Sequence, residues 1–233
     1  MTTYVLDIET NAIDATTIWC VVLKKLNEPK FVTATRASDL SFLTSDDVFI
    51  THNGVEFDIP VLNRVWKTRI KITQMFDTLI MSRLFNPNRE GGHSLRSWGE
   101  RLAFEKMDFD NYSAFSKDME EYCKRDVELT EKVYNYLSLQ GSNFSKKSIR
   151  LEHKIAHIIH MQSKHGFYLN REKAEDLWAE TLGKAKSIEK ELQTAFKPKP
   201  KLIREMVPRI KKDGTLSLVG LNDIDNPAET VVG

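Results

Sequence analysis

Asp7 and Glu9 in YVLDIET, Asp58 in THNGVEFDI, and Tyr122 with Asp126 in EYCKRDVEL are the residues whose types and spacing could do chemistry in this 233-residue chain. Four carboxylates offer the hard oxygen donors that Mg2+ and Mn2+ take, whereas zinc prefers nitrogen and sulfur. Side chains two apart on a strand point the same way, so Asp7 and Glu9 would project side by side, about 6–7 Å apart along the chain. Ile8 would then turn to the opposite face, into the core. Tyr122 and Asp126 are four apart, which on a helix puts them on one face about 6 Å apart along its axis. Gathered together, these groups could hold two divalent ions and hydrolyse a phosphodiester bond, with the phenol beside the attacking water.

Each fragment alone has a plainer reading. An Asp-x-Glu pair is more often an exposed strand face, Asp58 could simply cap a helix, and Tyr122 with Asp126 could be a surface pair. The helix that would carry Tyr122 and Asp126 also holds Asp118, Glu120, Glu121 and Glu128, so a single carboxylate there says little. Against the plain readings, VLDIE is flanked by apolar residues, and a central strand would hold its carboxylates at an electrostatic cost that divalent cations remove. The loop before Asp58 adds candidates for binding nucleic acid. His52 could contact substrate, Asn53 could hydrogen-bond a phosphate or sugar, Gly54 permits close backbone approach, and Phe57 would anchor the turn in the core.

The elements that must position these groups follow from pattern. TYVLDIET, TIWCVVLKKL and KFVTA are β-branched and aromatic runs, and a turn at Asn27-Glu28-Pro29 makes them a three-strand meander. SDLSFL reads as a short helix capped by Ser38, DVFIT as a fourth strand, and DIPVLNRVWK as a helix with Pro60 in its first turn. KIT is a candidate last strand, and DTLIMSRLF a helix capped by Asp77. HSLRSWGERL, with His93 at its start, buries Leu95, Trp98 and Leu102, and a long helix runs from about Ser116 to Leu137. Through residue 140 this is an α/β arrangement, a mixed sheet flanked by helices.

Two helices follow, at roughly 144–165 and 170–196, the first ending at Gly166 and the second capped by Asn170. Leu151, Ile155, Ile158, Ile159 and Gln162 share one face of the first. His153, His157 and His160 lie opposite, with Lys164, on the expected solvent side, so we read them as a polar stripe and not as a zinc site. Residues 197–233 read as a basic, proline-interrupted linker with a hairpin around Lys212-Asp213-Gly214. The expected domains are thus 1–140, 141–196 and 197–233.

Apolar content of 41% and charged content of 29% are those of an ordinary soluble domain, and no apolar run is long enough to span a bilayer. No leader precedes the first strand, so a cytoplasmic setting is expected. Cys20 and Cys123 form no CxxC pair and read as free thiols, with Cys123 pointing away from Tyr122. The net charge of +1 hides an uneven distribution. Residues 1–140 carry 17 Lys/Arg against 21 Asp/Glu, or −4; residues 141–212 carry 17 against 8, or +9; residues 213–233 carry −4. An acidic front that needs metal cations, followed by a basic segment, suits an enzyme acting on a polyanion, although a basic run can also be a solvated helix face.

Taken in order, the motifs resemble the three exonuclease motifs of the DEDDy 3′→5′ exonucleases, within the ribonuclease H-like (DnaQ-like) superfamily. Tyr122, in place of histidine, marks the tyrosine subclass. HNGVEFDIPVL, FDTLIMSRLF, HSLRSWGERL and YCKRDVELTEKVYNYL are similar to the proofreading domain of family A DNA polymerases from T-odd-type tailed phages. HKIAHIIHMQSKHGFYLNREKAEDLWAE resembles the helical passage into their polymerase thumb. The resemblance implies that Asp7, Glu9 and Asp126 hold one Mg2+ or Mn2+, with Tyr122 orienting the water. Asp7 would bridge to a second ion, assisted by Asp58. It implies as substrate a single-stranded or frayed DNA 3′ end, with 5′-mononucleotides as products. The chain stops before any palm or fingers, so the expectation is a separate exonuclease subunit of a split polymerase, a candidate partner, or a truncated product. In a phage setting the compartment would be the host cytoplasm. A ribonuclease D-like exoribonuclease and a catalytically silent docking module are the alternative readings.

Overall fold

The computed structural model describes residues 1–196, 210–212 and 214, so the expected linker and hairpin at 197–233 lie almost wholly outside the described residues. β1 (Thr3–Thr10), β2 (Ile18–Lys25) and β3 (Phe31–Ala34) form the antiparallel meander. β4 (Val48–Thr51) joins the other side of β1 in parallel, and β5 (Met75–Asp77) pairs in parallel with β4. The order β3-β2-β1-β4-β5 makes β1 the central strand of a five-stranded mixed sheet. Its side chains alternate as a doubly covered strand requires. Tyr4, Leu6 and Ile8 join the core on one face, with Leu23, Phe49, Ile59 and Leu62. Val5 joins the other, with Cys20, Val22 and Ile50.

The helices are α1 (Asp58–Val65), α2 (Thr78–Phe85), α3 (Leu95–Arg101), α4 (Lys117–Gln140), α5 (Lys146–His165) and α6 (Arg171–Ala195). Most open on a side-chain cap that accepts an otherwise orphaned N–H: Asp77 for α2, Ser94 for α3, Ser116 for α4, Ser145 for α5 and Asn170 for α6. α4 lies across the sheet, with Met119, Cys123 and Val127 on the Val5 face. Its far end packs Leu129, Val133 and Leu137 against Met81 of α2 and Trp98 of α3. Gly166 ends α5 with a positive φ of 71° and donates its N–H to Gln162.

Several local expectations shift. Residues 72–74 form a 3-10 turn, and the strand starts at Met75. Gln74 explains this, since its side chain accepts from the Lys71 N–H and donates to the Asp47 carbonyl, satisfying groups that a strand ladder would otherwise need. The expected helix at 38–43 is a 3-10 turn over Ala37–Leu40, closed by the Asp39 carboxylate on the Thr35 and Arg36 N–H groups and not by Ser38. His93 does not cap α3; its ring bonds Ser82 and faces the Pro87 carbonyl.

The chain divides into two compact units, Met1–Gly166 and Phe167–Gly233. The seam expected at 140 therefore falls inside the first unit, to which α5 belongs. α5 also docks with the opposite face to the one expected. His153 is buried and Leu151, Ile155, Ile158 and Ile159 are exposed. The cause is a buried N–H at Asp77, which needs an acceptor that His153 supplies and an aliphatic side chain cannot. Among the described residues no helix is long and apolar enough to cross a membrane.

Candidate active site

The pleat that sends Ile8 into one core leaves Asp7 and Glu9 on the face that α4 covers. Packing of Met119, Cys123 and Val127 against the sheet then fixes the rotation of α4, and Tyr122 and Asp126 follow from it on the same side. Glu9, Asp58, Tyr122 and Asp126 are all buried, and Asp7 is partly so. Ligating atoms of Asp7, Glu9 and Cys123 lie within 4.8 Å of one another. The Cys123 thiol donates to Asp7 Oδ2 at 3.4 Å, a contact with the acidic site that the sequence does not show. It is buried, and burial pushes its pKa well up, which makes it an inert thiol and not a nucleophile.

Burial raises these carboxylates, and for Asp7, Glu9 and Asp58 the charge of a neighbouring carboxylate adds to it. Burial, then the Asp126 charge, raises Asp7 to about 7. Burial, then Asp7 and Asp126, raises Glu9 to about 10. Asp58 is raised well above the carboxylate range by burial and then by Asp7, and Asp126 is raised by burial. Burial and Asp126 also hold the Tyr122 phenol neutral, above its ordinary value. Asp126 Oδ1 is buried with no hydrogen-bond partner among the described residues. Packed carboxylate oxygens, one of them orphaned, and no histidine among them form a donor set that fits hard divalent cations.

Asp58 is the first residue of α1, with Phe57 at the cap position, so its carboxylate is not the cap. The turn that delivers it is held from below by Asp77, whose carboxylate accepts the Asn53 N–H at 2.9 Å and the Val55 N–H at 3.0 Å. Asn53 takes a left-handed φ of 67°, which asparagine tolerates. Gly54 permits close approach to its own strand: a Cβ there would collide with the Thr51 side chain. His52 is tied through Nδ1 to Thr78 Oγ1 at 2.8 Å, and burial, then Lys106, lowers its pKa to about 4. Phe57 packs partly buried against the core.

Three residues of the site escaped the sequence reading. Asp77 looked like a cap alone, His153 like part of a solvated stripe, and Lys106 carried no signal. Lys106 Nζ lies 2.6 Å from Asp126 Oδ2 and 4.8 Å from the Tyr122 ring centroid. It comes from the irregular stretch between α3 and α4, where no period marks one residue above another.

No family model matches the chain. It is 22% identical over 258 residues to the DNA-directed DNA polymerase of Escherichia phage T7, a match covering 82% of this chain. It is 21% identical over 240 residues to the DNA-directed DNA polymerase of Enterobacteria phage T3, covering 70% of this chain. The matches span only 36% and 34% of those polymerases. Among solved structures, Brucella melitensis NrnC bound to pGG superposes with a TM-score of 0.57 at 18% identity, over 71% of this chain and 86% of that one. Escherichia coli RNase D, an exoribonuclease involved in structured RNA processing, gives 0.54 at 16%, over 70% and 46%. The catalytic core of Trypanosoma brucei RRP6 (mutant C496S) gives 0.51 at 15%, over 69% and 47%. The chain therefore has the ribonuclease H-like fold of the DnaQ-like exonucleases, and it resembles the exonuclease domain of a T7-type phage DNA polymerase.

Proposed function

We propose that the chain is a metal-dependent 3′→5′ exonuclease that removes 5′-mononucleotides from single-stranded or frayed DNA ends, in proofreading during phage DNA replication. The observation that carries this reading is the meeting of Asp7 and Glu9 from the central strand with Asp126 and Tyr122 from α4, in a site where burial, and next the charge of Asp126, raises the pKa of Asp7, and burial, then Asp7 and Asp126, that of Glu9.

Asp7, Glu9, Asp58 and Asp126 would hold two Mg2+ or Mn2+ ions, which when bound supply a nucleophile at neutral pH and stabilise the leaving 3′ oxygen. The chain's own groups do the rest. The neutral Tyr122 phenol donates or accepts a hydrogen bond to orient the attacking water. The buried carboxylates release their protons as cations enter, so binding is coupled to pH. The Asn53–Phe57 turn, braced by Asp77, holds Asp58 against the site. His52, Asn53 and Phe57 are proposed to meet the terminal nucleotides.

The two polymerase relatives support DNA as substrate. A second reading, an exoribonuclease, has the likeness to RNase D in its favour. Matched 3′-labelled DNA and RNA single strands, digested in Mg2+ with wild type beside Asp7→Ala, decide between them. Faster, Asp7-dependent release of 5′-mononucleotides from DNA supports the first reading, and faster release from RNA the second. Binding without turnover leaves a silent docking module. Docking of a separate polymerase subunit by the segment after residue 140, in the host cytoplasm, is supported by the match to polymerases of which this chain spans only about a third, and is tested by whether removing 197–233 weakens co-purification with the polymerase.

A further inference from the structure

One cation already lies inside the acidic site. Lys106 Nζ is 2.6 Å from Asp126 Oδ2, and its side chain is only 21% exposed. The loop that carries it is pinned on both sides. Arg125 Nε donates to the Glu105 carbonyl at 2.9 Å, and the Arg125 guanidinium lies 3.3 Å over the Phe104 ring. After Lys106, the Phe109 ring packs 5.3 Å from the Tyr122 ring, and Trp19 Nε1 donates to the Tyr112 carbonyl at 3.0 Å. α3 is pressed against the same backbone, since a Cβ at Gly99 would come 3.0 Å from the Phe104 carbonyl oxygen and 3.2 Å from the Lys106 nitrogen. Lys106 is thus delivered to Asp126 by fixed backbone and is not a surface lysine that happened to fold over.

The pairing is also half complete. Asp126 Oδ2 is neutralised by Lys106 while Oδ1 is buried without a partner among the described residues. A lysine ammonium held against a carboxylate is charged at neutral pH, so the pair is a full ion pair. A doubly charged ion on Asp126 and an ammonium on the same carboxylate repel strongly in a site sheltered from water.

We propose that Lys106 is the resident counter-cation of the metal-free site, neutralising Asp126 until a divalent ion enters, competing with that ion and leaving Asp126 when it binds. Metal affinity is then set by a residue outside the ligand set. The proposal rests on the nuclease reading above only in requiring that a divalent ion binds these carboxylates.

Mn2+ binding, followed by electron paramagnetic resonance of the free ion, tests it in wild type, Lys106→Gln, Lys106→Arg and Asp7→Ala. Without the competing charge, Lys106→Gln should bind Mn2+ about tenfold more tightly than wild type, and Lys106→Arg about as weakly as wild type. Metal-free Lys106→Gln should melt lower than wild type and gain more from Mn2+. Should Lys106→Gln fail to fold, the wild type alone still answers. Acylation of Lys106 by an amine-reactive reagent, read by peptide mass spectrometry against exposed Lys164, should rise several-fold in saturating Mn2+. Unchanged or weaker Mn2+ affinity in Lys106→Gln overturns the proposal, as does Lys106 labelling that Mn2+ leaves unaltered. Loss of Mn2+ binding in Asp7→Ala places the ion in this site, as the proposal requires. Tight, Lys106-sensitive Mn2+ binding without nucleotide release would remove the nuclease reading and leave the counter-cation standing. No Mn2+ binding by wild type overturns both.

Discussion

The main-chain N–H of Asp77 donates to His153 Nε2 at 2.7 Å, in a contact where both residues are almost completely buried. His153 Nδ1 faces the Ile149 carbonyl at 2.7 Å, which assigns the proton to Nδ1 and leaves Nε2 as the acceptor. The Asp77 carboxylate meanwhile receives the N–H groups of Asn53, Val55 and Leu79. One residue therefore joins α5, the start of α2 and the turn that delivers Asp58.

His153→Ala leaves a buried N–H without an acceptor, at a cost of about 1–3 kcal/mol of stability. The pairing also has a pH signature. Burial lowers the His153 pKa in the folded state, so the unfolded chain binds the proton more readily. The contribution of neutral His153 is fully present above the unfolded value of about 6.5 and is lost as pH falls below it. Urea midpoints should fall further between about pH 7.5 and 5.5 in wild type than in His153→Gln, which cannot titrate. Equal losses in both would remove His153 as the cause.

The acidic site has the opposite sign. In the folded state Glu9 is raised to about 10 by burial, then Asp7 and Asp126, and Asp7 to about 7 by burial, then Asp126. Their contribution is present below the unfolded carboxylate range and is lost as pH rises through those values. Glu9→Gln should therefore raise the stability of the metal-free protein near pH 8 by about 2 kcal/mol. Mn2+ should raise the melting temperature of wild type and do far less for Glu9→Gln. Asp7→Ala with Glu9→Ala should abolish nucleotide release while the protein still melts cooperatively; substantial Mg2+-dependent release from that variant sinks the assignment.

How much of this was legible depends on period. Asp7, Glu9 and the opposed Ile8 were readable because a two-residue alternation is written into β1, and Tyr122 with Asp126 because four residues make one helical face. The docking of α5 was not readable. Its apolar stripe is real, yet the acceptor that decides which face turns inward is demanded by Asp77, on another element. Cys123 was readable as a buried thiol, but its contact with Asp7 was not. The buried arc of α4 includes Met119, Tyr122, Cys123, Asp126, Val127 and Leu129, wide enough to face both the sheet and the neighbouring helices. Lys106 lies in a stretch with neither period nor cap, where only the folded backbone says what it meets.

Gly54 offers a test of the turn before Asp58. The strand end and the turn approach so closely that a methyl at residue 54 would overlap Thr51. Thr51 is fully buried and cannot swing into solvent. Gly54→Ala should cost about 1–3 kcal/mol. It should also shift Asp58, so nucleotide release should fall by more than the folded fraction explains. A variant of normal stability and normal rate would mean that the turn yields freely and does not set Asp58.

Tyr122→Phe removes a hydroxyl and nothing else from the packing. The ring stays against Phe109 at 5.3 Å and under the Lys106 ammonium at 4.8 Å, so the melting temperature should stay close to wild type. The phenol is neutral across the working range because burial and Asp126 oppose its ionisation. It therefore acts by hydrogen bonding and not as a phenolate base, and the wild-type pH–rate profile should show no tyrosine-dependent limb. Single-turnover nucleotide release should slow by about 10–100-fold, less than in the Asp7→Ala, Glu9→Ala variant, because the carboxylates that hold the metal remain. A rate equal to wild type would leave Tyr122 as packing for the Lys106 loop. A loss as complete as that of the carboxylate variant would make the phenol as necessary as the metal ligands and overturn its assignment as a group that only orients the water.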